Sequence, residues 1–320
     1  MSATETIKNY ILSDCRMDSV GIAPASALAG EPEGHRPEDI LPGAKSVIVF
    51  TRRIPDGVIQ AAFRSREDGN ADAHSIYAAY GSDLTPNMNV FFMQFNIAQF
   101  IEMTFGYTAM PVPSGPMQNV TPVNVPLPVF IGPKKNAYIL HPERAAYAAG
   151  LGDLAWNNML VTEKNGPRQV VGLVVTSMEL DRDWPYGGPR LCDPETCGVC
   201  GRICPTHAIP PAGGEADVVS VAGNTVKMAH INSNACAVAS LGFRGEFAVK
   251  GTLPDLISSD DPSDGELAEA YAKKPISHHS LDHYPKHYCG KCMLYCPLGG
   301  WKERFFDTGL SKFDAGGLAR

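Results

Sequence analysis

The sequence predicts an α+β protein in two parts: an N-terminal α/β part over residues 1–180 and a smaller cysteine-rich module over residues 181–320. Three observations predict it. Residues 46–50 and 169–178 are apolar, β-branched runs bounded by turn residues, the pattern of buried strands. Between them, residues 87–105 carry apolar side chains on a helical period, with Gly106 where a C-cap belongs. Beyond residue 180 the composition shifts to Gly, Pro and Cys, and eight of the chain's nine cysteines lie between Cys192 and Cys296.

In chain order, the stretch from Glu5 to about Cys15 reads as an amphipathic helix. The segment VGIAPASALAG follows, then HRPEDILPGAKSVIVFT, where Pro42-Gly43 punctuates the approach to the first buried strand. Residues 64–69 are polar and predict a loop. The Met and Phe residues of the 87–105 helix are read as core packing. Residues 111–133 hold many prolines and few charges, so loop or edge strand is expected, each proline removing a backbone donor. A helix from about residue 142 to 149 ends at the turn AGLGD. Residues 218–221 and 225–229, joined through Ala222-Gly223-Asn224, predict a small β-hairpin.

At 320 residues the chain can bury one substantial core plus a small module, and 44% hydrophobic with 19% charged residues is the balance of a globular protein. A net charge of −7 argues against a broad phosphate-binding surface, so a small-molecule substrate and a protein electron donor are expected rather than nucleic acid. No apolar run approaches the roughly 18–20 residues that span a bilayer. The start, MSATETIKNYILSDC, lacks a basic region followed by an apolar one. Arg52-Arg53 has no hydrophobic run behind it. A cytoplasmic protein without membrane attachment is the expectation.

Nine cysteines in that setting call for metal before disulfides. A cubane cluster needs four thiolates at the corners of a small tetrahedral volume, and cysteines three apart on a tight turn supply adjacent ligands. Bacterial two-cluster ferredoxins use C-x2-C-x2-C-x3-C-P, the fourth cysteine reaching the other cluster. Cys197, Cys200, Cys204 and Pro205 match the last three cysteines and the proline, with Cys192 upstream as first ligand. Cys289, Cys292, Cys296 and Pro297 repeat the ending, and Cys236 is left to complete them. Under the crossed rule, Cys192, Cys197, Cys200 and Cys296 hold one 4Fe–4S cluster, and Cys204, Cys236, Cys289 and Cys292 hold the other. Two C-x2-C pairs could instead hold a structural zinc, which leaves four cysteines and both C-x3-C-P endings unexplained. Cys15, on an apolar helix face, reads as a buried small hydrophobe. The tract of His278, His279, His283 and His287 before Cys289 lines the substrate opening, stays solvated or binds a separate metal. No P-loop or strand-linked G-x-G-x-x-G is present.

The stretch AAYAAGLGDLAWNNMLVTEKNGPR, followed by a strand and the first cysteine run, resembles the reductive dehalogenase and epoxyqueuosine reductase superfamily. HRPEDILPGAKSVIVF and HYCGKCMLYCPLGGW resemble segments of the same group, and Cys236 falls where it places an isolated cluster ligand. The resemblance implies a nitroreductase-like α/β domain that binds cobalamin or another corrinoid base-off, beside a ferredoxin-like module with two 4Fe–4S clusters. It implies a two-electron reduction of an organohalide in one branch and of a modified tRNA base's epoxide in the other. The chain stops soon after the second cysteine run. The acidic proton donor that the epoxide branch carries upstream of AGLG has no counterpart among Asn136, Tyr138 and His141. A small organic substrate is therefore expected before tRNA.

Breaking a carbon–halogen or carbon–oxygen bond needs a proton donor beside the electron source. Tyr138, His141 and Tyr147 lie just before AGLG and are the candidates. Arg168 or Lys134 is the candidate cation that eases developing negative charge. Taken singly, each is read first as an ordinary packing or surface residue. Gly150, Gly152, Gly166 and Pro167 mark loops where backbone meets a large flat ligand, or ordinary turns; Asn157 joins them as a cofactor-binding candidate. The function expected is a reductase passing electrons through two clusters to a corrinoid, with ferredoxin or flavodoxin as donor. The alternatives are a corrinoid-free electron-transfer protein serving a partner enzyme, and an epoxyqueuosine reductase acting on tRNA.

Overall fold

The computed structural model describes residues 1–67, 80–81, 89–112, 140–240, 242–244, 255–273, 289–300 and 304. Helix α1 (Ala3–Asn9) opens on a capping box, in which Glu5 N donates to Ser2 Oγ at 3.2 Å and Ser2 N to Glu5 Oε2 at 2.7 Å. A wider turn over Tyr10–Asp14 continues it to Cys15, as expected for this stretch. Strand β1 (Ser19–Pro24), the short α2 (Pro37–Ile40) and β2 (Ser46–Arg53) follow. Next come α3 (Asp56–Glu67), α4 (Phe91–Phe105), capped by Gly106 at φ 74°, and β3 (Ala109–Val112). After these the chain forms α5 (Pro142–Ala148), the two-residue strands β4 (Asp153–Leu154) and β5 (Leu160–Val161), and β6 (Gln169–Thr176).

The four-stranded sheet runs β1-β2-β6-β3 with every neighbour antiparallel. Both its faces are buried, which is why β2 and β6 read as continuous apolar runs rather than alternating ones. Alternation sends Val47, Val49, Leu173 and Val175 to one face, against α5 and its flanking loops. It sends Ile48, Phe50 and Val174 to the other, against Ile7 and Ile11 near α1 and Ile97 and Ile101 of α4. Pro111 sits in β3 at the sheet edge, where a missing N–H is tolerated. The rest of the proline-rich stretch lies outside the described residues.

One expectation is corrected. The polar residues from 64 were expected as a loop, yet α3 continues to Glu67. No Gly or Pro interrupts residues 58–67, and Ile59, Ala62 and Phe63 recur at helical spacing with all three buried.

The cysteine-rich part contributes α6 (Val199–Ile203), the hairpin β7 (Ala216–Val221) and β8 (Asn224–Ala229), α7 (Ser233–Ser240), α8 (Asp264–Lys273) and α9 (Lys291–Leu294). The hairpin turns at Ala222-Gly223, and its buried Val221, Val226 and Met228 join the α5 face of the main core. Among the described residues no helix is long and apolar enough to cross a membrane.

Candidate metal centre

Cys192 reaches its place through Asp153, 1% exposed at the start of β4. Leu191 N and the Arg190 guanidinium each donate to that carboxylate at 2.8 Å. Trp156 N then donates to Cys192 Sγ at 3.4 Å, while the indole Nε1 donates to Pro210 O at 2.8 Å. Trp156, Ile209 and Ala229 form an apolar cluster against which Cys192, Cys200, Cys204 and Cys292 pack. Cys197 follows a local turn in which Glu195 N and the Thr196 hydroxyl donate to the Asp193 carboxylate. Cys200 lies in α6, Cys204 just after it, and Cys236 in α7.

The second run is held from below by the N-terminal part. Ile54, Ile59, Ala62 and Phe63 pack against Met293, Leu294 and Tyr295, with Phe63 and Tyr295 edge to face at 5.0 Å. Val199 and Ile203 of α6 join the same cluster, so one apolar base carries both cysteine helices. Arg168, 1% exposed, donates to Cys296 O at 2.8 Å, to Met293 O at 3.4 Å and to Leu298 O. Burial, the largest effect on it, lowers its pKa to about 10. Asn157, also buried, donates from Nδ2 to Cys292 O at 3.4 Å.

Folding brings the eight thiols into two groups. The Cys200 thiol feels Cys192, Cys296 and Cys197; Cys296 feels Cys192 and Cys197. Cys236 feels Cys289 and Cys204, and Cys292 feels Cys289, Cys236 and Cys204. The groups adjoin where Cys292 also feels Cys200. Burial pushes the thiols of Cys200 and Cys236 up to about 12 and that of Cys296 to about 11, and raises Cys292 well above its ordinary value. Buried thiols resist ionising alone, and a cationic metal core is the partner that makes their thiolates stable. Among the described residues no three His, Cys, Asp or Glu side chains converge tightly enough to hold a single ion. A zinc ion needs four sulfurs about 2.3 Å from one point, whereas a cubane puts its own iron under each thiolate and spreads them wider. Eight free cysteines supply the sulfur donors that two such clusters take. Cys15 stands apart in the core beneath α4.

The other sequence-derived candidates disperse. Tyr147 is buried in α5, its ring 6.3 Å from that of Tyr186, and burial raises its pKa. His141 precedes α5 with Nε2 3.5 Å from Glu31, whose carboxylate also accepts from Arg144 at 2.7 Å. Burial, then Arg144 and His35, lowers His141 to about 3, so its imidazole is neutral at pH 7. His141, Glu143, Arg144, Asn158 and Asp217 line a cleft of about 200 Å3. A side chain at Gly150 or Gly152 would strike the carbonyl of Trp184 or Val161, and one at Gly166 would come within 2.6 Å of Leu298 O. These three glycines therefore admit the chain's own backbone. Pro167 O accepts from Gln169 N at 2.8 Å in the same turn. Tyr138, Lys134, Asn136 and the histidine tract lie outside the described residues. Sequence reading missed Asp153, Trp156 and α3; only α3 had a local signal, its helical spacing.

The structure thus defines a mixed α/β protein in which cysteines of both runs pack against one apolar cluster. No family model matches the chain. Tetrachloroethene reductive dehalogenase of Dehalobacter restrictus is 35% identical over 98 residues, which is 28% of this chain and 17% of that protein. A tetrachloroethene reductive dehalogenase of Desulfitobacterium hafniense is 39% identical over 66 residues, 20% of this chain and 12% of the relative. The chain therefore matches less than a fifth of these curated relatives' own length. Among solved structures, epoxyqueuosine reductase from Streptococcus thermophilus aligns with a TM-score of 0.47 at 12% identity, over 94% of this chain and 67% of the other. A catabolic reductive dehalogenase in complex with 3-bromo-4-hydroxybenzoic acid gives 0.44 at 18% identity, over 74% and 28%. Over these stretches the chain is similar to tetrachloroethene reductive dehalogenases, members of one branch of the superfamily that its motifs resemble.

Proposed function

We propose that the chain is an iron–sulfur oxidoreductase that reductively cleaves a carbon–halogen or carbon–oxygen bond of a small organic molecule. Cys192, Cys197, Cys200 and Cys296 hold one 4Fe–4S cluster, and Cys204, Cys236, Cys289 and Cys292 the other. The observation that carries this reading is that cysteines of both runs, Cys192, Cys200, Cys204 and Cys292, pack together against the Trp156 cluster. The local similarity to tetrachloroethene reductive dehalogenases supports the reductive direction. When bound, the clusters supply one-electron exchange.

The chain's own residues provide the rest. Trp156 and Ile209 exclude water on one side of the thiols, and Asp153 fixes the approach to Cys192. Arg168 clamps the turn after Cys296 and keeps a positive charge close to it. Electrons come from a ferredoxin- or flavodoxin-type donor, and the division near residue 180 separates the sheet from the cysteine module.

At Gly150, Gly152 and Gly166, where the sequence suggested contact with a corrinoid, the chain's own backbone fills the space. No step is assigned to one. That observation favours a second reading, electron transfer to a partner enzyme without a corrinoid. Anaerobic reconstitution with iron, sulfide and cobalamin, then metal analysis after desalting, separates the two. About eight irons with stoichiometric cobalt, and oxidation of reduced dye by halides or epoxides, supports the corrinoid reductase. About eight irons without cobalt or turnover moves the assignment to electron transfer.

A further inference from the structure

Away from every cysteine, the segment after β6 builds a cleft of about 580 Å3. Its lining includes Arg182, Trp184, Tyr186, Ala27, Gly30 and the hairpin tip at Gly223. The volume is that of an ordinary small-molecule site, about 300–1,000 Å3. Trp184 is the unusual member, with 71% of its surface exposed. An indole left in water forfeits hydrophobic stabilisation, yet this one does not sit on a loose loop. Asp183 N donates to Ile22 O at 2.8 Å and Tyr186 N to Tyr147 O at 2.9 Å, bracketing Trp184 with backbone bonds to β1 and α5. The Asp183 carboxylate accepts from Ile22 N at 2.7 Å and from Lys8 at 2.6 Å, fixing the segment again. Trp184 O itself fills the space above Gly150. The opposite part of the lining is stitched in turn, Ala222 N donating to Ala27 O at 3.3 Å.

The chemistry of this rigid slot is specific. The Arg182 guanidinium lies 4.1 Å from the centre of the Trp184 ring, so one indole face carries a cation. Ala27, Gly30, Ala148, Ala222 and Gly223 also line the cleft, and none carries a side chain larger than a methyl group. Among the described residues Arg182 is the sole Lys or Arg in the lining, and the Asp183 carboxylate is occupied by Lys8 and Ile22 N.

We propose that this cleft binds a planar aromatic carboxylate of one or two rings, its ring stacked on Trp184 and its anionic group paired with Arg182.

The test is titration calorimetry of the full chain, reconstituted with iron and sulfide, using 2-naphthoate as probe and cyclohexanecarboxylate as its non-aromatic control. Binding does not depend on cluster reduction or turnover, so it stands or falls apart from the reductase reading. The expected result is saturable 2-naphthoate binding, weakened about tenfold by Trp184→Ala, as the loss of one aromatic stack requires, and largely kept by Trp184→Phe. Arg182→Gln weakens it as well, and raising the salt narrows that difference. Iron content and circular dichroism matching the parent show that each variant is folded. No binding of 2-naphthoate, equal binding of cyclohexanecarboxylate, or unchanged affinity in Trp184→Ala overturns the proposal.

Discussion

Arg168 places a guanidinium in the core and spends it on the carbonyls of Met293, Cys296 and Leu298. Its removal takes a donor from part-buried carbonyls of Cys296 and Leu298, at a cost of about 1–3 kcal/mol each. Arg168→Met is therefore expected to lower the unfolding free energy by about 3 kcal/mol or more and to loosen iron held through Cys296. Urea unfolding with iron analysis of the desalted variant checks both. Arg168→Lys recovers only part, because an ammonium lacks the planar fork that reaches several carbonyls at once. Glu143 supplies a pH-dependent counterpart. Burial, the largest effect, raises its folded pKa from 4.5 to about 7. Its contribution to stability is fully present below pH 4.5 and is lost as pH rises through about 7. That gap corresponds to on the order of 3 kcal/mol. Glu143→Gln removes this loss, so the variant gains on the parent between pH 5 and pH 8 in chemical unfolding; a constant difference across that range contradicts it. At this scale the sequence made the cysteines legible, since their spacing is a local property. Asp153 and Trp156 were not legible, because their partners Arg190, Pro210 and Cys192 lie 36 or more residues away and no local pattern reports them.

The elements carry the same contrast. Strands β2 and β6 were readable because a sheet covered on both faces writes itself as unbroken β-branched runs. Gly172 interrupts one of them for a reason the sequence alone does not show. A side chain there would collide with the Phe50 ring and come within 2.8 Å of Val90. Gly172→Ala is expected to destabilise by about 1–3 kcal/mol, and adding Phe50→Leu to restore part of the loss, both measured by chemical unfolding. Equal stability of parent and Gly172→Ala contradicts this packing. Helix α3 was half legible. Its buried Ile59, Ala62 and Phe63 have helical spacing, but the polar residues after them imitate a loop. Its role as the seat of Tyr295 depends on a contact between residues more than 230 positions apart, as Phe63 and Tyr295 are. Phe63→Ala should therefore reduce iron retention as well as stability, the latter by about 3–5 kcal/mol. Iron retention equal to the parent's separates α3 from the cysteine site.

Across the whole molecule, the chain returns on itself so that Cys296 meets Cys192, Cys197 and Cys200, while Cys204 meets Cys236, Cys289 and Cys292. Neither set can form from one sequence run. Hairpin, sheet and α3 must all dock before either set is complete, which ties metal retention to global folding. The nearness of the two cysteine runs was readable from the repeated C-x3-C-P endings, whereas the apolar cluster they pack against was not. The most direct measurement is the electron paramagnetic resonance spectrum, with iron counts, of dithionite-reduced Cys197→Ser, Cys204→Ser and Cys289→Ser chains reconstituted anaerobically. The parent should hold about eight irons and each variant about four. The expected result is one spectrum shared by Cys204→Ser and Cys289→Ser, which lose the same cluster, and a different one from Cys197→Ser. If the Cys204→Ser spectrum matches that of Cys197→Ser instead, each run serves its own cluster and the crossed arrangement is wrong.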